Sequence, residues 1–205
     1  MLGEAASTRP AVHGGRAPDA VRWPPAQRKR LVLSWVSGMN VITGKAWVFG
    51  DEINTDVMAP GLYFKSSMEE MARHCLEAVD PGFAASVAPG DIVVAGHNFG
   101  VGSAREQAAL AFRHLKVGAI LAESFGRIFY RNALNFGVPA LFFPQSADIG
   151  AGDLLAVDPV TGSIENRNSG QRYTVDGIPE HLMQMIQAGG LMPWLKQRLA
   201  TEGAP

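Results

Sequence analysis

The 205-residue chain contains a single cysteine, Cys75, and this scarcity excludes several classes of protein. One cysteine cannot form an intrachain disulfide, and it cannot supply an all-cysteine zinc or iron–sulfur site from this chain alone. Because Cys75 falls on the apolar side of a helical pattern, we expect a buried structural thiol and not a reactive one. The five histidines include no pair spaced His-x-x-x-His, and we expect no metal site in this chain.

The sequence also has no strong excess of charge and no long apolar run. Lysine and arginine number 18 against 19 aspartate and glutamate residues, so the formal net charge is -1. Such a balance creates no field that draws nucleic acid or an anionic membrane. No apolar run reaches the about 18 residues that a membrane-spanning helix needs. We therefore expect neither a nucleic-acid nor a membrane partner, and a cytoplasmic location.

Residues 1–38 differ in composition from the rest of the chain. They are rich in Ala, Pro, Gly and Arg, lack a sustained apolar period, and contain the basic cluster Arg28-Lys29-Arg30. No convincing secretory signal is present, and a transit peptide is an alternative. We expect residues 1–38 to be a disordered extension, or the product of an upstream start codon chosen in error, and residues 39–205 to form the domain. N-terminal sequencing of the native protein separates these two ideas, because an intact Met1 excludes the second.

Residues 96–107, Gly-His-Asn-Phe-Gly-Val-Gly-Ser-Ala-Arg-Glu-Gln, organise the remainder. This glycine-rich loop joins an apolar strand pattern at 91–95 to a helical pattern at 108–115. Its glycines permit positive φ and close backbone approach, and a helix beginning near Ser103 would present free N–H groups to a ligand. The third glycine of a dinucleotide fingerprint, the Gly-Lys-Ser/Thr of a phosphate loop and a Gly-x-Ser-x-Gly elbow are all absent. A small-anion pocket containing a serine is the interpretation that is left.

Two interpretations of Ser103 stay open on spacing alone. Ser103-x-x-Glu106 before an apolar run forms a capping box, in which the serine is only an N-cap worth about 1 kcal/mol. Arg105 favours a functional site, because a cation in the first turn opposes the helix dipole by about 0.3–1 kcal/mol. A residue that is unfavourable for its local structure, with no visible interaction to offset the cost, is often functional. A guanidinium beside helix N–H groups and a hydroxyl suits a carboxylate or phosphate.

Alternating strand and helix patterns predict the fold. Strand patterns at 45–49, 91–95, 117–122 and 138–143 alternate with helical patterns at 67–79, 103–115 and 124–136, with Ser67 and Ser124 as predicted N-caps. This order implies parallel strands with right-handed crossovers. Segments 153–157, 163–166 and 171–175 indicate a β-meander, and helical patterns follow at 179–188 and 191–199. The fold class is therefore α/β, with a parallel βαβ core and a small antiparallel β part.

The glycine-rich loop resembles the signature loop of the aconitase swivel-domain family, most closely that of free-standing small subunits of the 3-isopropylmalate dehydratase type. Three further stretches agree in order, namely Gly-Asp-Glu-Ile-Asn-Thr-Asp at 50–56, Pro-Gly-Leu-Tyr-Phe at 60–64 and 122–133. The similarity covers about residues 39–200. It implies a swivelling β/β/α domain that lacks half of its active site. A large partner subunit is then expected to carry a [4Fe–4S] cluster on its own cysteines, while this chain binds no cofactor itself.

The resemblance also implies an activity, the dehydration and rehydration of a 2-hydroxy di- or tricarboxylic acid by a hydro-lyase. Ser103 matches the family's catalytic serine, which takes the proton from carbon as an alkoxide. Arg105 matches the substrate arginine and would clamp a carboxylate. Further substrate-binding positions implied by the motifs are Gly102, Ala104, Thr55, Asp56, Tyr63 and Phe64.

Two groups of polar residues have a structural as well as a functional interpretation. Asp51, Asn54 and Asp56 suit turn chemistry, although the resemblance places Thr55 and Asp56 at the active-site edge. Arg127 and Arg131 lie one turn apart on a predicted helix. They are either solvated surface charges or, as the resemblance implies, part of a face that borders the active cleft or the partner subunit.

Several positions depart from the family pattern and leave the substrate open. Ala104 replaces a second serine, Val101 and Gln107 replace a frequent Cys and His, and Leu62 and Phe64 depart from an Arg-Tyr-Leu specificity segment. One side group is discriminated by only about 1–3 kcal/mol in an apolar pocket. Isopropylmalate is the base-rate choice, with homoaconitate, citramalate and dimethylmalate types as alternatives. A non-catalytic paralogue that binds a small carboxylate and a self-sufficient enzyme without a cluster are alternatives of other classes.

Overall fold

The structure, a computed structural model, describes residues 41–202. The expectations about residues 1–38, including that of an upstream start codon, lie outside this range. Within it, no helix combines the length and the apolar character needed to cross a bilayer.

Seven strands form one sheet across the described residues, in the order β4-β3-β2-β1-β5-β6-β7. The strands are β1 Ile42–Val48, β2 Ile92–Ala95, β3 Ala119–Ala122, β4 Ala140–Phe142, β5 Leu154–Asp158, β6 Ser163–Asn166 and β7 Arg172–Thr174. Strands β1 to β4 pair in parallel, whereas β5 pairs antiparallel with β1 and the order continues antiparallel through β6 and β7. The predicted parallel core and the smaller antiparallel part are both confirmed.

Helices connect these strands and follow them at the C-terminal end. They are α1 Thr55–Met58, α2 Met68–Arg73, α3 Phe83–Ser86, α4 Glu106–His114, α5 Arg127–Asn135, α6 Glu180–Gln187 and α7 Leu191–Glu202, with 3₁₀ turns at Gly61–Tyr63 and Ser146–Asp148. Helices α2, α4 and α5 pack side by side, since α4 contacts both of the others. In the sheet order, each of the strands β2, β3 and β4 lies beside the strand that precedes it in the chain, so each connection moves one strand further in the same direction.

The sheet curls until its two outermost strands approach each other. Phe143 follows β4, and its ring lies 5.1 Å from that of Tyr173 in β7, centroid to centroid, although β4 and β7 are opposite edges. Strands β2 and β3 are buried along their whole length, as expected for central strands covered on both faces. Helices cover one face and the returning antiparallel strands approach the other, which gives the expected β/β/α layering.

The helix starts were predicted with mixed success. Ser67 caps α2 as predicted, its hydroxyl accepting the Glu70 N–H at 3.1 Å. The predicted cap Ser124 is wrong, because α5 begins after Gly126 without a side-chain cap. Of the two interpretations of Ser103, the capping one is wrong, because α4 begins after Arg105, also without a side-chain cap. Tertiary contacts of the preceding loops, described below, hold these residues out of the helices.

Two further local predictions differ from the structure. Helix α2 ends at Arg73 instead of continuing to residue 79, and the chain goes on in turns that include Leu76 at φ 61°. The polar segment before residue 59, expected to be a turn, contains the single helical turn α1. Asn54 caps this turn by accepting the N–H groups of residues 56 and 57, so the turn chemistry of Asn54 is local to a helix.

Candidate functional site

The glycine-rich loop lies beyond the carboxyl ends of the parallel strands. It follows β2, while residues 49–54 follow β1 and residues 123–126 follow β3. The carboxyl ends of parallel strands meet at one edge of the sheet, where open α/β sheets bind ligands. The sequence motifs that carry the family resemblance therefore converge on this edge.

Backbone hydrogen bonds hold the loop on both sides. They join it to the segment after β1 and to the segment after β3: Gly100 N–H to Ile53 O at 2.7 Å, Thr55 N–H to Val101 O at 2.9 Å, Phe99 N–H to Ser124 O at 2.9 Å and Gly126 N–H to Phe99 O at 2.8 Å. The ring of Phe99 is fully buried and packs edge-on against Phe129, with centroids 5.4 Å apart. The middle of the loop, at Phe99 and Gly100, is thus anchored in the core, whereas residues 102–104 are exposed.

Two of its glycines are required by neighbouring protein atoms. Gly100 is buried at φ +78°, and a Cβ there would lie 2.2 Å from the Cγ of Phe129. Gly102 has φ +115°, and a Cβ there would lie 3.0 Å from the hydroxyl oxygen of Thr55. Both conformations favour glycine. The sequence interpretation that these glycines thin the loop for a ligand is therefore incomplete, because at Gly100 the close neighbour is an internal ring.

Ser103 has a fixed backbone and a free side chain. Its carbonyl accepts the Arg105 N–H at 2.8 Å and the Thr55 hydroxyl at 3.1 Å. Its own hydroxyl is exposed and makes no hydrogen bond within residues 41–202. In the same range, the backbone N–H groups of Gly102, Ser103 and Ala104 also have no hydrogen-bond acceptor. The loop therefore offers a hydroxyl and three N–H donors to solvent or to a ligand.

Arg105 is held on three sides. Its Nη1 donates to the carbonyl of Ala59 at 3.2 Å and forms an ion pair with Asp56, and its Cζ lies 4.8 Å from the ring centroid of Phe64. The Arg105 side chain is 21% exposed, against 62% for that of Asp56. The expectation that this cation lacks visible compensation is wrong, because Asp56 supplies the opposite charge. The Nε and Nη2 atoms of Arg105 make no hydrogen bond with a described residue and can still donate.

The 3₁₀ turn that carries the predicted specificity segment is fixed by an aromatic stack. The ring of Tyr63 lies parallel to that of His74, with centroids 3.7 Å apart and an interplanar angle of 7°. His74 contacts Glu77 through Nδ1 at 2.5 Å and Glu70 through Nε2 at 3.3 Å. The hydrogen bond to Glu77, with a further one to Glu70, raises the pKa of His74, while burial opposes the shift. Tyr63 thus anchors the turn, and Phe64 reaches Arg105.

The structure therefore brings most predicted site residues together. Thr55 contacts Ser103, and Asp56 and Phe64 contact Arg105. Thr55 is only 1% exposed, so its hydroxyl holds the loop backbone in this structure. Ala104 is exposed beside Ser103. Tyr63 contacts neither Ser103 nor Arg105 among the described contacts; it precedes Phe64 and stacks on His74. The chemical roles of these residues stay predictions.

A chain of polar groups at the same edge was missed from the sequence. His97 Nε2 lies 3.0 Å from Glu123 Oε2, and the Ser146 hydroxyl donates to Glu123 Oε1 at 2.7 Å. The carboxylate of Asp51 accepts the His97 N–H at 2.7 Å. Each of these residues follows one of the strands β1 to β4 within a few positions. That shared placement after successive parallel strands is the signal that could have found them.

The described residues do not fit a metal or a cluster. They contain no group of three His, Cys, Asp or Glu side chains that could hold a metal ion. Cys75 is fully buried, and burial raises the pKa of its thiol far above the ordinary range. The prediction of a buried structural thiol is confirmed, and a thiol in this state is neither a ligand nor a nucleophile.

Comparison with known proteins extends these observations. Residues 54–146 match the family model of the aconitase C-terminal domain. The 3-isopropylmalate dehydratase small subunit of Nautilia profundicola is 46% identical over 162 residues, which cover 78% of this chain and 98% of that protein. The methanogen homoaconitase small subunit of Methanothermobacter thermautotrophicus is 44% identical over 153 residues, covering 75% of this chain and 89% of that protein.

A solved structure agrees with the fold. The crystal structure of 3-isopropylmalate dehydratase from Methanocaldococcus jannaschii superposes with a TM-score of 0.75 and is 36% identical, covering 80% of this chain and 98% of that chain. The relatives are matched over nearly their full length, and the matched family model includes the signature loop and the residues that face it. The resemblance based on the sequence motifs is confirmed: the chain belongs to the aconitase swivel-domain family, among the dehydratase small subunits.

Proposed function

We propose that this chain is the small subunit of a two-chain hydro-lyase that isomerises 3-isopropylmalate by dehydration and rehydration. The observation that carries the proposal is Ser103, whose hydroxyl is exposed and unbonded while its backbone is fixed on a core-anchored loop. A serine that only starts a helix would bond that helix, and Ser103 does not. The near full-length match to dehydratase small subunits supports the same function.

Ser103 is proposed as the group that exchanges a proton with the substrate carbon. A free serine hydroxyl is far too weakly acidic to act as an alkoxide, so its surroundings must stabilise the anion. The unpaired N–H groups of residues 102–104 and the guanidinium of Arg105 are the donors available for this. Preorganised donors of this kind act as an oxyanion hole and need no rearrangement when charge develops.

Arg105 is proposed as the clamp for a substrate carboxylate. Asp56 and Ala59 both engage Nη1, which leaves Nε and Nη2 side by side for a bidentate contact. Bidentate guanidinium–carboxylate pairs are stronger than single hydrogen bonds and fix orientation. The Phe64 ring covers the guanidinium and keeps water from part of it, which strengthens the electrostatic contact.

The remaining requirement is a Lewis acid for the departing hydroxyl, which a metal centre supplies in such reactions. The residues of this chain do not fit a cluster, since the described part offers no ligand set and the single thiol is buried. The proposal therefore assigns a [4Fe–4S] cluster to a large partner subunit. This chain contributes the proton exchange at Ser103 and the carboxylate contact at Arg105.

The apolar character of the specificity segment supports isopropylmalate over a tricarboxylic acid. Phe64 is 44% exposed beside Arg105, and Leu62 is 83% exposed on the same turn. An isopropyl group can contact such side chains, whereas a third carboxylate would need a further cation. Homoaconitate is the second candidate, because a methanogen homoaconitase small subunit, at 44% identity, is as similar to this chain as dehydratase subunits at 42% to 46%.

The test is an assay of the purified chain alone and co-purified with the large subunit from the same genome. We expect the pair to contain iron and to convert 3-isopropylmalate, with the chain alone inactive. Homoaconitate assayed in parallel decides between the two substrates, since turnover of the tricarboxylic acid alone would reassign the substrate. Turnover by the isolated chain would overturn the two-chain proposal.

A further inference from the structure

An open groove runs along helix α5, between this helix, strand β4 and helix α6. It has a volume of ≈ 370 Å³. Its walls are mainly apolar and include Phe125, Phe142, Leu182 and Met185, and its polar rim is formed by Arg127 and Arg131. We call this cavity the α5 groove.

The α5 groove contains hydrogen-bond donors without acceptors. Arg127 and Arg131 are exposed and one turn apart, and neither makes an ion pair or a hydrogen bond with any residue in the range 41–202. The Tyr130 hydroxyl, on the same helix, is likewise without a hydrogen bond in that range. No aspartate or glutamate lines the groove. A ligand complementary to the groove would therefore combine an anionic hydrogen-bond acceptor with apolar groups.

One end of the groove lies at the sheet edge that carries Ser103. The residues on either side of Phe125, Ser124 and Gly126, form the backbone hydrogen bonds to Phe99 of the glycine-rich loop. The rings of Phe125 and Phe99 meet edge-on, with centroids 6.2 Å apart. Helix α5 begins at Arg127, shortly after β3 ends, so the Arg127 end of the groove lies at the same sheet edge as the Ser103 loop. A protein that covers this edge would therefore lie next to the start of the groove.

We infer that the α5 groove docks the large subunit, through a segment that presents carboxylates among apolar side chains. This inference rests on the proposed function, which requires a large subunit over the Ser103 loop. Arginine, tyrosine, phenylalanine and methionine line the groove and lysine, aspartate and glutamate do not, which is the composition of protein–protein interfaces. Ile128 is 49% exposed on the same helix and extends the apolar surface beyond the cavity, where a small molecule would leave it uncovered.

The test is charge reversal of both arginines, Arg127→Glu together with Arg131→Glu. Both side chains are exposed and unpaired, so the variant folds with an unchanged Tm. We expect its affinity for the large subunit to fall at least tenfold at low salt, with kcat recovered when the large subunit is saturating. Added salt weakens binding of the wild-type chain, because exposed charge contacts are screened, and has little further effect on the variant.

A matched control reverses two exposed cations elsewhere, Lys116→Glu together with Arg167→Glu. Lys116 lies between α4 and β3, at the amino ends of the parallel strands, and Arg167 follows β6, so neither is on the Ser103 edge. The control carries the same change in net charge and retains wild-type affinity. An equal loss in both double variants would show a general charge effect and would overturn the inference.

Further outcomes separate this inference from the proposed function. A complex that forms, turns over no 2-hydroxy acid and is lost on reversal of the two arginines supports the docking surface and removes the activity. Wild-type affinity in the Arg127→Glu, Arg131→Glu variant overturns the docking surface and leaves the activity standing. In that case, a thermal shift with citrate that this variant loses would reassign the groove to a small carboxylate. No binding by the wild-type chain overturns both proposals.

Discussion

Two helices of this chain are preceded by the same four-residue pattern and begin in different ways. Ser67 and Ser103 each stand three residues before a glutamate, at Glu70 and Glu106. Ser67 caps α2 and accepts the Glu70 N–H. Ser103 caps nothing, since α4 begins three residues later and the Ser103 hydroxyl is left free.

The difference lies in what holds the preceding chain. Ser67 precedes α2 on the surface, where local hydrogen bonding decides its conformation. The carbonyl of Ser103 is held by the buried Thr55 hydroxyl, and the neighbouring Gly102 is at φ +115°. These contacts prevent the turn that a cap needs. A capping pattern therefore predicts a cap only where no tertiary contact competes for the same backbone.

The largest expected effect separates the two serines directly. Ser103→Ala should lower kcat of the two-chain enzyme by about 10³-fold, within the range for loss of a positioned proton-transfer group. Its Tm should stay unchanged, because the hydroxyl bonds no described residue. Steady-state kinetics and a thermal melt of the same preparation measure both quantities. A lower Tm with full turnover would show instead that Ser103 stabilises the helix start.

Arg105→Lys tests the proposed carboxylate clamp, which stands just before α4. A lysine keeps the charge but cannot make a bidentate contact, so kcat/KM should fall by about 10- to 100-fold, as for loss of a charged hydrogen bond. Arg113→Lys is the matched control. Arg113 donates to the carbonyls of Phe136 and Gly189, far along the chain from the loop, so this variant should lose stability and keep kcat/KM. Equal kinetic losses would remove the special role of Arg105.

Thr55→Val should weaken the contact that makes the two serines different. The buried hydroxyl that holds the Ser103 carbonyl is replaced by a methyl group of similar size, so the unfolding free energy should fall by about 1 kcal/mol. Because Ser103 loses its backbone support, kcat should fall by about tenfold with little change in KM. Chemical denaturation and kinetics provide the two measurements. An unchanged kcat would mean that the loop keeps its position without Thr55.

Ser67→Ala is the converse of the first substitution. Loss of this cap should lower the unfolding free energy by about 1 kcal/mol while kcat of the complex is retained. Urea denaturation of the isolated chain measures the loss. Retained stability would mean that the Ser67 hydrogen bond is replaced by water without cost, and the contrast with Ser103 would then rest on kinetics alone.

The smallest effect concerns the other end of α2. The pKa of His74 is raised in the folded chain, chiefly by its hydrogen bond to Glu77. A raised pKa stabilises the fold fully below the unfolded value near 6.5, and this stabilisation is lost as pH rises through the folded value. Tm should therefore decline slightly above pH about 6.5, and His74→Gln should abolish that part of the decline. His181→Gln, on the surface of α6, should retain it.

Much of the fold was predictable because its signals are local. Each of the four parallel strands was located from a short apolar run, although β1 begins three residues before its predicted start, and β6 was predicted with the boundaries found in the structure. Helices α4 to α7 were predicted in the right places, with errors mainly at their starts. Those errors share one cause, since Ser103 and Ser124 both belong to segments tied by hydrogen bonds to another part of the chain.

The candidate site was predictable in its members but not in its contacts. Motif resemblance predicted Ser103, Arg105, Asp56 and Phe64, and the structure places the last two beside Arg105 or on it, while their roles stay predictions. The sequence could not show that Asp56 neutralises Arg105 or that the Phe64 ring covers it, because these residues meet only after β1 and β2 pair. The His97–Glu123–Ser146 chain was missed for the same reason.

The complete burial of Cys75 makes the chain its own reporter of unfolding. This is the only cysteine in the sequence, and in the native state a thiol reagent cannot reach it. The rate of labelling therefore follows the opening of the core just beyond α2, since reaction requires a transiently open state. Loosening the start of α2 at Ser67 should accelerate that reaction, whereas removing the Ser103 hydroxyl should leave its rate unchanged. The labelling rate of Cys75 thus distinguishes Ser67, which stabilises the fold, from Ser103, whose hydroxyl the fold only positions.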